Sequence, residues 1–240
     1  MTGSARLPGD STAPAPVTLD DVSNPSSARI LRQDDPEHAE LLAQGWTVAA
    51  TSWGARLDLT AGSDLSVYDR AVSAARRAGY EVREVRARET SALVDLDALV
   101  APDFPDTPAS HHEPLPLNLA GRIARGQWRA FGAWWQGRIV AFTILYRFEG
   151  RWEVDRTAVE ASHRRRGLAS AVKSASILTT YAEGARRWGT GGAMANAGSL
   201  AVNRGLGFLL EPSWHTLLPP AETRGPPPGH HASTGPATQA

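Results

Sequence analysis

Cysteine is absent from this 240-residue chain, which excludes a disulfide framework, a thiolate zinc site and a cysteine nucleophile. Long apolar runs are also missing, and none approaches the roughly 18 residues that cross a bilayer. The first fifteen residues lack the apolar core of an export signal. We therefore expect a cytoplasmic protein with no membrane partner.

An excess of charge of one sign is missing as well, because 25 Lys and Arg residues balance 25 Asp and Glu residues. Proteins that bind nucleic acid usually carry a basic excess, so no nucleic-acid partner is expected. His230 and His231 lie in a segment rich in Pro and Gly, which is typical of a solvated tail. No metal site is predicted.

Large apolar side chains are scarce at both ends of the chain. Residues 1–27 are rich in Ser, Pro, Gly and Thr, and residues 219–240 are rich in Pro and Gly. Such segments bury too little apolar surface to offset the cost of ordering the backbone, so both are predicted to be disordered. Between them we expect an N-terminal α/β extension over 28–79 and a larger α/β domain over 80–218.

Hydrophobic periodicity between these ends predicts a mixed α/β fold. Helical spacing is found over 36–44, 65–78, 91–100, 118–125, 167–188 and 197–206. Strand patterns occupy 28–32, 46–59, 80–87, 128–135, 138–148, 152–159, 190–195, 208–210 and 214–218, the second of them as a strand or a hairpin. Tight turns link the three central strands, which should pair antiparallel, and the last two strands are expected to pair with each other.

The segment that carries the chemistry is the junction between the strand that ends at Val159 and the helix that Gly167 opens. The turn between them contains Arg164, Arg165 and Arg166. A helix N-terminus presents unpaired backbone N–H groups and the positive end of the helix dipole, which suits a phosphate. Glycine allows close approach of the backbone, and arginines grip phosphates with paired hydrogen bonds. The junction predicts a diphosphate ligand, with a solvated basic turn as the alternative.

The order Arg164-x-x-Gly167-x-Ala169 after a strand resembles the acyl-CoA pyrophosphate motif of the GNAT-type N-acetyltransferase superfamily. Residues 190–196 and 203–208 are similar to that family's patterns T-x-N-A-x-x-N and N-x-x-L-G-F. The predicted element order over 80–218 also agrees with the family. The resemblance implies a mixed, mostly antiparallel sheet with flanking helices, in which two strands splay apart in a V.

Two positions depart from the family's patterns. Gly192 stands where the first asparagine of T-x-N-A-x-x-N is expected. Asn203 stands where the family often has a tyrosine that protonates the departing thiolate. Asparagine cannot usefully donate a proton, so water or Ser199 is expected to serve this step. Tyr146 and Tyr181 are the remaining alternatives, although the spacing of both is typical of core residues. The second departure keeps open the alternative of a non-catalytic acyl-CoA sensor or interaction module on the same fold.

The resemblance implies acetyl-CoA as co-substrate and direct attack of a primary amine on its thioester in a ternary complex. The implied cofactor-binding residues are Thr157, Ala158, Val159, Arg164, Arg165, Arg166, Gly167, Leu168, Ala169, Ser170, Asn196 and Ser199. Among them, the Val159 amide is expected near the thioester carbonyl, and the amides of 165–170 around the diphosphate. Asn196 is expected to bind the pantetheine arm, to cap the following helix, or both.

A base is needed because a primary amine is mostly protonated at neutral pH. Glu153 and Asp155 lie two residues apart on one predicted strand, so strand alternation places both on the face that also carries Thr157 and Val159. The resemblance places a base at Glu153 in several members, whereas Asp155 lies closer to the thioester. Both are candidate catalytic residues, and the alternative is that one or both pair with neighbouring arginines.

The acceptor is expected beneath the proline-rich segment 103–117, because that region covers the acceptor pocket in the family. Phe104, His111 and His112 in this segment, and Trp134 on a neighbouring strand, are the candidate substrate-binding residues. Acidic and imidazole groups there would suit a small-molecule or peptide amine. The tryptophan-rich strands could also supply a homodimer interface.

The predicted extension contains a faint internal repeat. Leu41–Trp46 followed by Ser52-Trp53 resembles Leu206–Phe208 followed by Ser213-Trp214. The extension is therefore interpreted as the remnant of a second, truncated acetyltransferase-like half, with chance similarity as the alternative. No phosphate motif occurs in it, so one cofactor site is expected.

Overall fold

The structure, a computed structural model, describes residues 28–104 and 112–220. Predictions for the two chain ends and for His111 lie outside the described residues. The described helices are α1 (Pro36–Ala43), α2 (Ser66–Arg77), α3 (Thr90–Val100), α4 (Leu119–Ala124), α5 (Leu168–Ala182) and α6 (Ala197–Gly205). The described strands are β1 (Arg29–Arg32), β2 (Thr47–Asp58), β3 (Glu81–Glu84), β4 (Trp128–Trp135), β5 (Arg138–Phe148), β6 (Arg151–Val159), β7 (Arg187–Ala193), β8 (Leu209–Leu210) and β9 (Trp214–Leu218).

These strands form one sheet in the order β1-β9-β2-β7-β6-β5-β4-β3, with β8 attached to β2. The strands pair antiparallel except for β6 and β7, which are parallel. The predicted mixed, mostly antiparallel α/β fold is therefore confirmed. The expected pairing of the last two strands is wrong, because β8 pairs with β2 at Ala55 and Arg56 whereas β9 pairs with β1 and β2.

Helices cover both faces of the sheet. On one face α2 and α5 pack on a core that includes Phe131, Leu145 and Val172. On the other face α3 and α4 pack on a second core that includes Leu93 and Phe142. The two layers fix the central strands β4, β5 and β6 from both sides, which holds the end of β6 in place.

Helix α5 ends earlier than its apolar pattern predicts. Gly184 adopts a φ of +96°, and the Ala185 N–H donates a hydrogen bond of 2.9 Å to Thr180 O. Glycine tolerates this left-handed conformation, so the chain leaves the helix here. Arg187 and Trp188, predicted to be helical, therefore belong to β7.

The predicted N-terminal extension shares the sheet with the rest of the chain. β2 is a single strand rather than a hairpin, and it lies between β7 and β9. Its register with β7 places Trp53 opposite Gly192 and Arg56 opposite Gly189. Side chains of β2 therefore lie beside β7, the strand that is next to β6 in the sheet.

The two segments of the internal repeat end their helices in the same way. After α1, Gly45 has a φ of +86° and the Trp46 N–H donates to Leu41 O at 3.1 Å; after α6, Gly207 has a φ of +84° and the Phe208 N–H donates to an α6 carbonyl, also at 3.1 Å. The strand order β1-β9-β2-β7 shows the same symmetry. β2, which follows α1, pairs with β7 rather than with β1, and β9, which follows α6, pairs with β1 rather than with β7. The origin of the extension as a truncated second half stays a prediction.

Candidate functional site

Strands β6 and β7 separate shortly after they begin. Their described pairs are Trp152 with Trp188 and Glu153 with Gly189. The Glu160 N–H donates to Val140 O of β5 at 2.9 Å. Because successive amides of a strand point to opposite edges, the Val159 N–H points toward β7, where the separation leaves the edge of β6 open.

Helix α5 begins at the end of this open edge. In the described part of the chain, the backbone amides of residues 165–170 donate no hydrogen bond. Gly167 has a φ of +76°, and a Cβ built on it would meet no atom within 4 Å. Unpaired amides at the positive end of a 15-residue helix, with open space before them, fit a diphosphate group.

The three arginines of the preceding turn are exposed. Arg164 Nε donates to Val159 O at 3.0 Å, and its guanidinium forms an ion pair with Asp103. Arg166 Nη1 lies 3.5 Å from Tyr80 Oη. Arg164 thereby ties the end of β6 to the turn, while the arginines keep positive charge at the N-terminus of α5.

Other predicted cofactor-binding positions line the same junction or support it. Leu168 is buried in the core, and Ala169 and Ser170 are half-buried on the first turn of α5. On β6, Ala158 is buried and Thr157 Oγ1 lies 2.8 Å from Thr143 Oγ1. The backbone rather than these side chains is therefore the part of the segment available to a ligand.

Strand β6 contains a bulge that the sequence did not reveal. Val154 lies opposite Leu145, whereas Arg156 lies opposite Ile144, so Asp155 is an extra residue on β6. Such bulges re-aim side chains and are common beside active sites.

The bulge reverses the alternation along β6. Glu153 lies opposite Tyr146, two residues from the partner of Arg156, so Glu153 and Arg156 share one face. Thr157 and Val159 lie on the other face. The expectation that the two candidate carboxylates share the face of Thr157 and Val159 is therefore wrong.

Glu153 is only 2% exposed and is held by two arginines. Arg151 Nε donates to its Oε2 at 2.8 Å, and Arg56 Nη1 lies 3.5 Å from the same oxygen. Burial raises the pKa of Glu153, and the hydrogen bond from Arg151 and the charge of Arg56 oppose that rise. The arginine pairing that the sequence left open is present together with deep burial.

Asp155 is the more accessible carboxylate, with a side chain 22% exposed. Arg156 Nε donates to its Oδ2 at 2.7 Å. The same guanidinium bonds both oxygens of buried Asp97 at 3.1 and 3.2 Å, and Glu113 O at 2.7 Å. Arg156 thus joins Asp155 to helix α3 and to the segment predicted to cover the acceptor.

Two of the candidate substrate-binding residues lie in this group. The rings of Phe104 and His112 are 4.5 Å apart, and His112 Nε2 lies 3.3 Å from Asp97 Oδ2. Trp134 instead packs in the core beneath α3 and α4, with the Arg83 guanidinium 4.4 Å from its ring. The structure brings Phe104 and His112 toward Asp155 but not the indole of Trp134.

Asn196 caps helix α6. Its Oδ1 accepts a hydrogen bond from the Ser199 N–H at 3.0 Å, which is one of the two roles predicted for it. Ser199 O accepts from Asn203 Nδ2 at 2.9 Å, and the buried Asn203 Oδ1 has no partner among the described residues. Asn203 therefore supports the helix, and no proton donor replaces the family's tyrosine at this position.

Two charged residues beside the site were not predicted from the sequence. Lys173 on α5 is 3% exposed, and its Nζ donates to Thr190 Oγ1 at 3.3 Å. A charged residue within an apolar helical pattern was the available signal for Lys173. Arg56 had no local signal, because its partner Glu153 lies 97 residues away in sequence.

Within residues 28–104 and 112–220, no helix is long and apolar enough to cross a membrane. The same ranges contain no group of three or more His, Asp or Glu side chains that could hold a metal ion. Around the junction of β6 and α5, backbone amides without a partner among the described residues and the open edge of β6 lie beside two carboxylates.

Solved structures of similar fold include three bacterial proteins. A GCN5-related N-acetyltransferase from Sphaerobacter thermophilus is 15% identical, with a TM-score of 0.59 over 79% of this chain and 58% of that one. A GCN5-related N-acetyltransferase from Kribbella flavida is 21% identical, with a TM-score of 0.52 over 81% and 68%. The C-terminal domain of a putative lysylphosphatidylglycerol synthetase from Agrobacterium fabrum is 16% identical, with a TM-score of 0.53 over 80% and 68%.

These identities show a shared fold alone, and the chain spans 58% of the length of the Sphaerobacter protein. No curated protein matches the chain in sequence. The acetyltransferase (GNAT) family, however, is matched by residues 93–208, which contain the open edge of β6, the arginine-rich turn and the N-terminus of α5. The sequence motif, the sheet and this match agree, and residues 93–208 form a domain that matches the acetyltransferase (GNAT) family.

Proposed function

We propose that the protein transfers an acetyl group from acetyl-CoA to the primary amine of a small molecule or a peptide, in the cytoplasm. The observation that carries this proposal is the row of unpaired amides at 165–170 beside the open edge of β6. These amides would bind the diphosphate of CoA, and the open edge of β6 would bind its extended pantetheine arm.

Each group of residues has a role in this proposal. The amides of 165–170 would bind the diphosphate, with Arg164, Arg165 and Arg166 supplying positive charge. Backbone groups of 157–159 would pair with the pantetheine arm in place of β7. Asn196 and Ser199, at the start of α6, would contact that arm from the opposite side of the cleft.

Acetyl transfer forms a C–N bond to the amine as the C–S bond to CoA breaks. The Val159 N–H, which points into the cleft, would donate to the thioester oxygen and stabilise its developing negative charge. A carboxylate would take the proton of the amine, directly or through water. We assign this role to Glu153, and we place the cationic acceptor beside Asp155, near Phe104 and His112.

The alternative is a protein on the same fold that binds acyl-CoA without transferring the acyl group. Asn203 favours it, since the side chain at this position cannot donate a proton to the thiolate and instead bonds Ser199 O. Binding of acetyl-CoA with no transfer to a broad panel of amines would support this alternative against the enzyme.

Calorimetric titration with acetyl-CoA tests the cofactor site directly. Gly167→Asp places a carboxylate against the diphosphate and should abolish measurable binding. Gly184→Asp is a matched control, because Gly184 also has a positive φ (+96°) and open space around it but lies at the opposite end of α5. The control should bind as the wild type does. Absence of binding by the wild type, or equal loss in both variants, would refute the proposed site.

A further inference from the structure

Arg56, Gly189 and Glu153 lie side by side on three adjacent strands. Arg56 is opposite Gly189 in the antiparallel β2–β7 pair, and Glu153 is beside Gly189 in the parallel β6–β7 pair. A Cβ on Gly189 would lie closer than 3.0 Å to both Glu153 Oε2 and Arg56 Nη1, a separation that real Cβ atoms essentially never show. The missing side chain on β7 is what allows the two charged groups to meet.

Charged and titratable groups surround the Glu153 carboxylate from every neighbouring element. They are Arg151 on β6, Arg56 on β2, Lys173 on α5, Tyr146 on β5 and Glu211 before β9. The two arginines favour the ionised carboxylate, whereas burial and Glu211 oppose it. Arg56 also pairs with Glu211, since its Nε lies 3.3 Å from Glu211 Oε1.

Arg56 comes from a part of the chain that precedes the matched family segment 93–208. A buried carboxylate loses the solvation of water and stays ionised only where other charges or hydrogen bonds replace it. Arg151 supplies one such hydrogen bond from the same strand, and Arg56 supplies the second cation from β2. The site around Glu153 is therefore incomplete without β2.

We propose that Arg56 is a positioning residue for acetyl transfer: it reaches across Gly189, holds Glu153 where β6 and β7 separate, and favours its ionised form. The N-terminal extension is then part of the active site rather than an appendage to it. The catalytic part of this inference rests on the proposed function, whereas the effect of Arg56 on Glu153 does not.

The ionisation of Glu153 can be measured without any substrate. In protein labelled with ¹³C at the glutamate carboxyl carbons, the resonance lost in Glu153→Gln belongs to Glu153. Arg56→Met should move the titration midpoint of that resonance to higher pH, because a positive charge that favours the carboxylate is removed. Arg29→Met is the matched control, since Arg29 lies on β1 and pairs with Glu37, and it should leave the midpoint unchanged.

Two further variants separate charge from fold. Gly189→Ala keeps both charges but blocks their approach, so its midpoint should move in the same direction as that of Arg56→Met. Arg56→Lys retains a cation and should restore part of the wild-type midpoint. A Glu153 midpoint that is the same in the wild type and in every folded variant would overturn the inference.

Acetyl-transfer kinetics complete the test. In Arg56→Met the acidic limb of the kcat profile should move to higher pH together with the NMR midpoint, while the KM for acetyl-CoA stays constant. A fall in thermal stability with an unchanged pH profile would show that Arg56 is only structural. A wild type without transferase activity would refute the proposed function and leave the NMR result to decide the role of Arg56.

Discussion

Lys173 Nζ lies 3.3 Å from Thr190 Oγ1, at the point where β6 and β7 begin to separate. Lys173 is the only lysine of the chain, and it is buried beside the ring of Phe208 and within the field of Glu153. Burial lowers its pKa from 10.5 to about 7, with the charge of Glu153 opposing the change. The apex of the cleft thus holds an amine that titrates near neutrality.

Lys173→Met should change the pH dependence of stability. Between about pH 7 and the ordinary value of 10.5, the unfolded chain binds the proton of Lys173 and the folded chain does not. The lysine therefore makes the free energy of unfolding rise with pH in this window, whereas below pH 7 both states are protonated and the slope vanishes. Urea unfolding of both proteins at several pH values measures this difference. If the free energies of unfolding of the two proteins change in parallel from neutral to alkaline pH, the lowered pKa of Lys173 is contradicted.

Gly192→Asn introduces the residue that the family's pattern has at this position. The Trp53 ring of β2 lies opposite it, and a Cβ on Gly192 would meet Trp53 Cζ2 at 3.0 Å. Because Trp53 is fully buried, Gly192→Asn should lower the free energy of unfolding by about 1–3 kcal/mol. Gly205→Asn is the control, since nothing lies within 4 Å of a Cβ there. Chemical denaturation of the two variants and the wild type measures this difference. A Gly192→Asn protein as stable as the wild type would show that Trp53 does not exclude the asparagine side chain.

The two carboxylates of β6 should differ in their kinetic effects once an acceptor is found. Glu153→Gln should lower kcat about 10²- to 10⁴-fold without weakening acetyl-CoA binding, because it removes the proposed base. Asp155→Asn should mainly raise the KM of a cationic acceptor, because Asp155 is exposed beside the segment that carries His112. Steady-state kinetics of both variants test the assignment, and the reverse pattern would make Asp155 the base.

The sequence predicted most elements because their signals are local. Asp35 caps α1, with its side chain accepting from the Glu37 N–H, and the turns around Gly137 and Gly150 connect the antiparallel central strands. The bulge at Asp155 could not be predicted, since it depends on the register between β5 and β6. Placement of β2 beside β7 likewise depends on contacts between residues more than a hundred positions apart.

The sequence motif likewise predicted only part of the site. The arginine-rich turn and Gly167 were evident, because residue type and spacing define them directly. Arg56 and Gly189 were not, since a glycine that makes room for an ion pair between two other strands has no signature in its own neighbourhood. A glycine inside a strand weakens that strand, and it can mark a place where other groups approach the backbone closely.

The placement of β2 between β7 and β9 also governs how the protein is made. Ser52 pairs with Ala193 on one side and with Trp214 on the other, so its partners on the two neighbouring strands are synthesised 141 and 162 residues after it. Two strand edges must stay unpaired throughout that time, and closure across so long a loop is slow. We expect the nascent chain to need protection from aggregation until β7 and β9 have been synthesised.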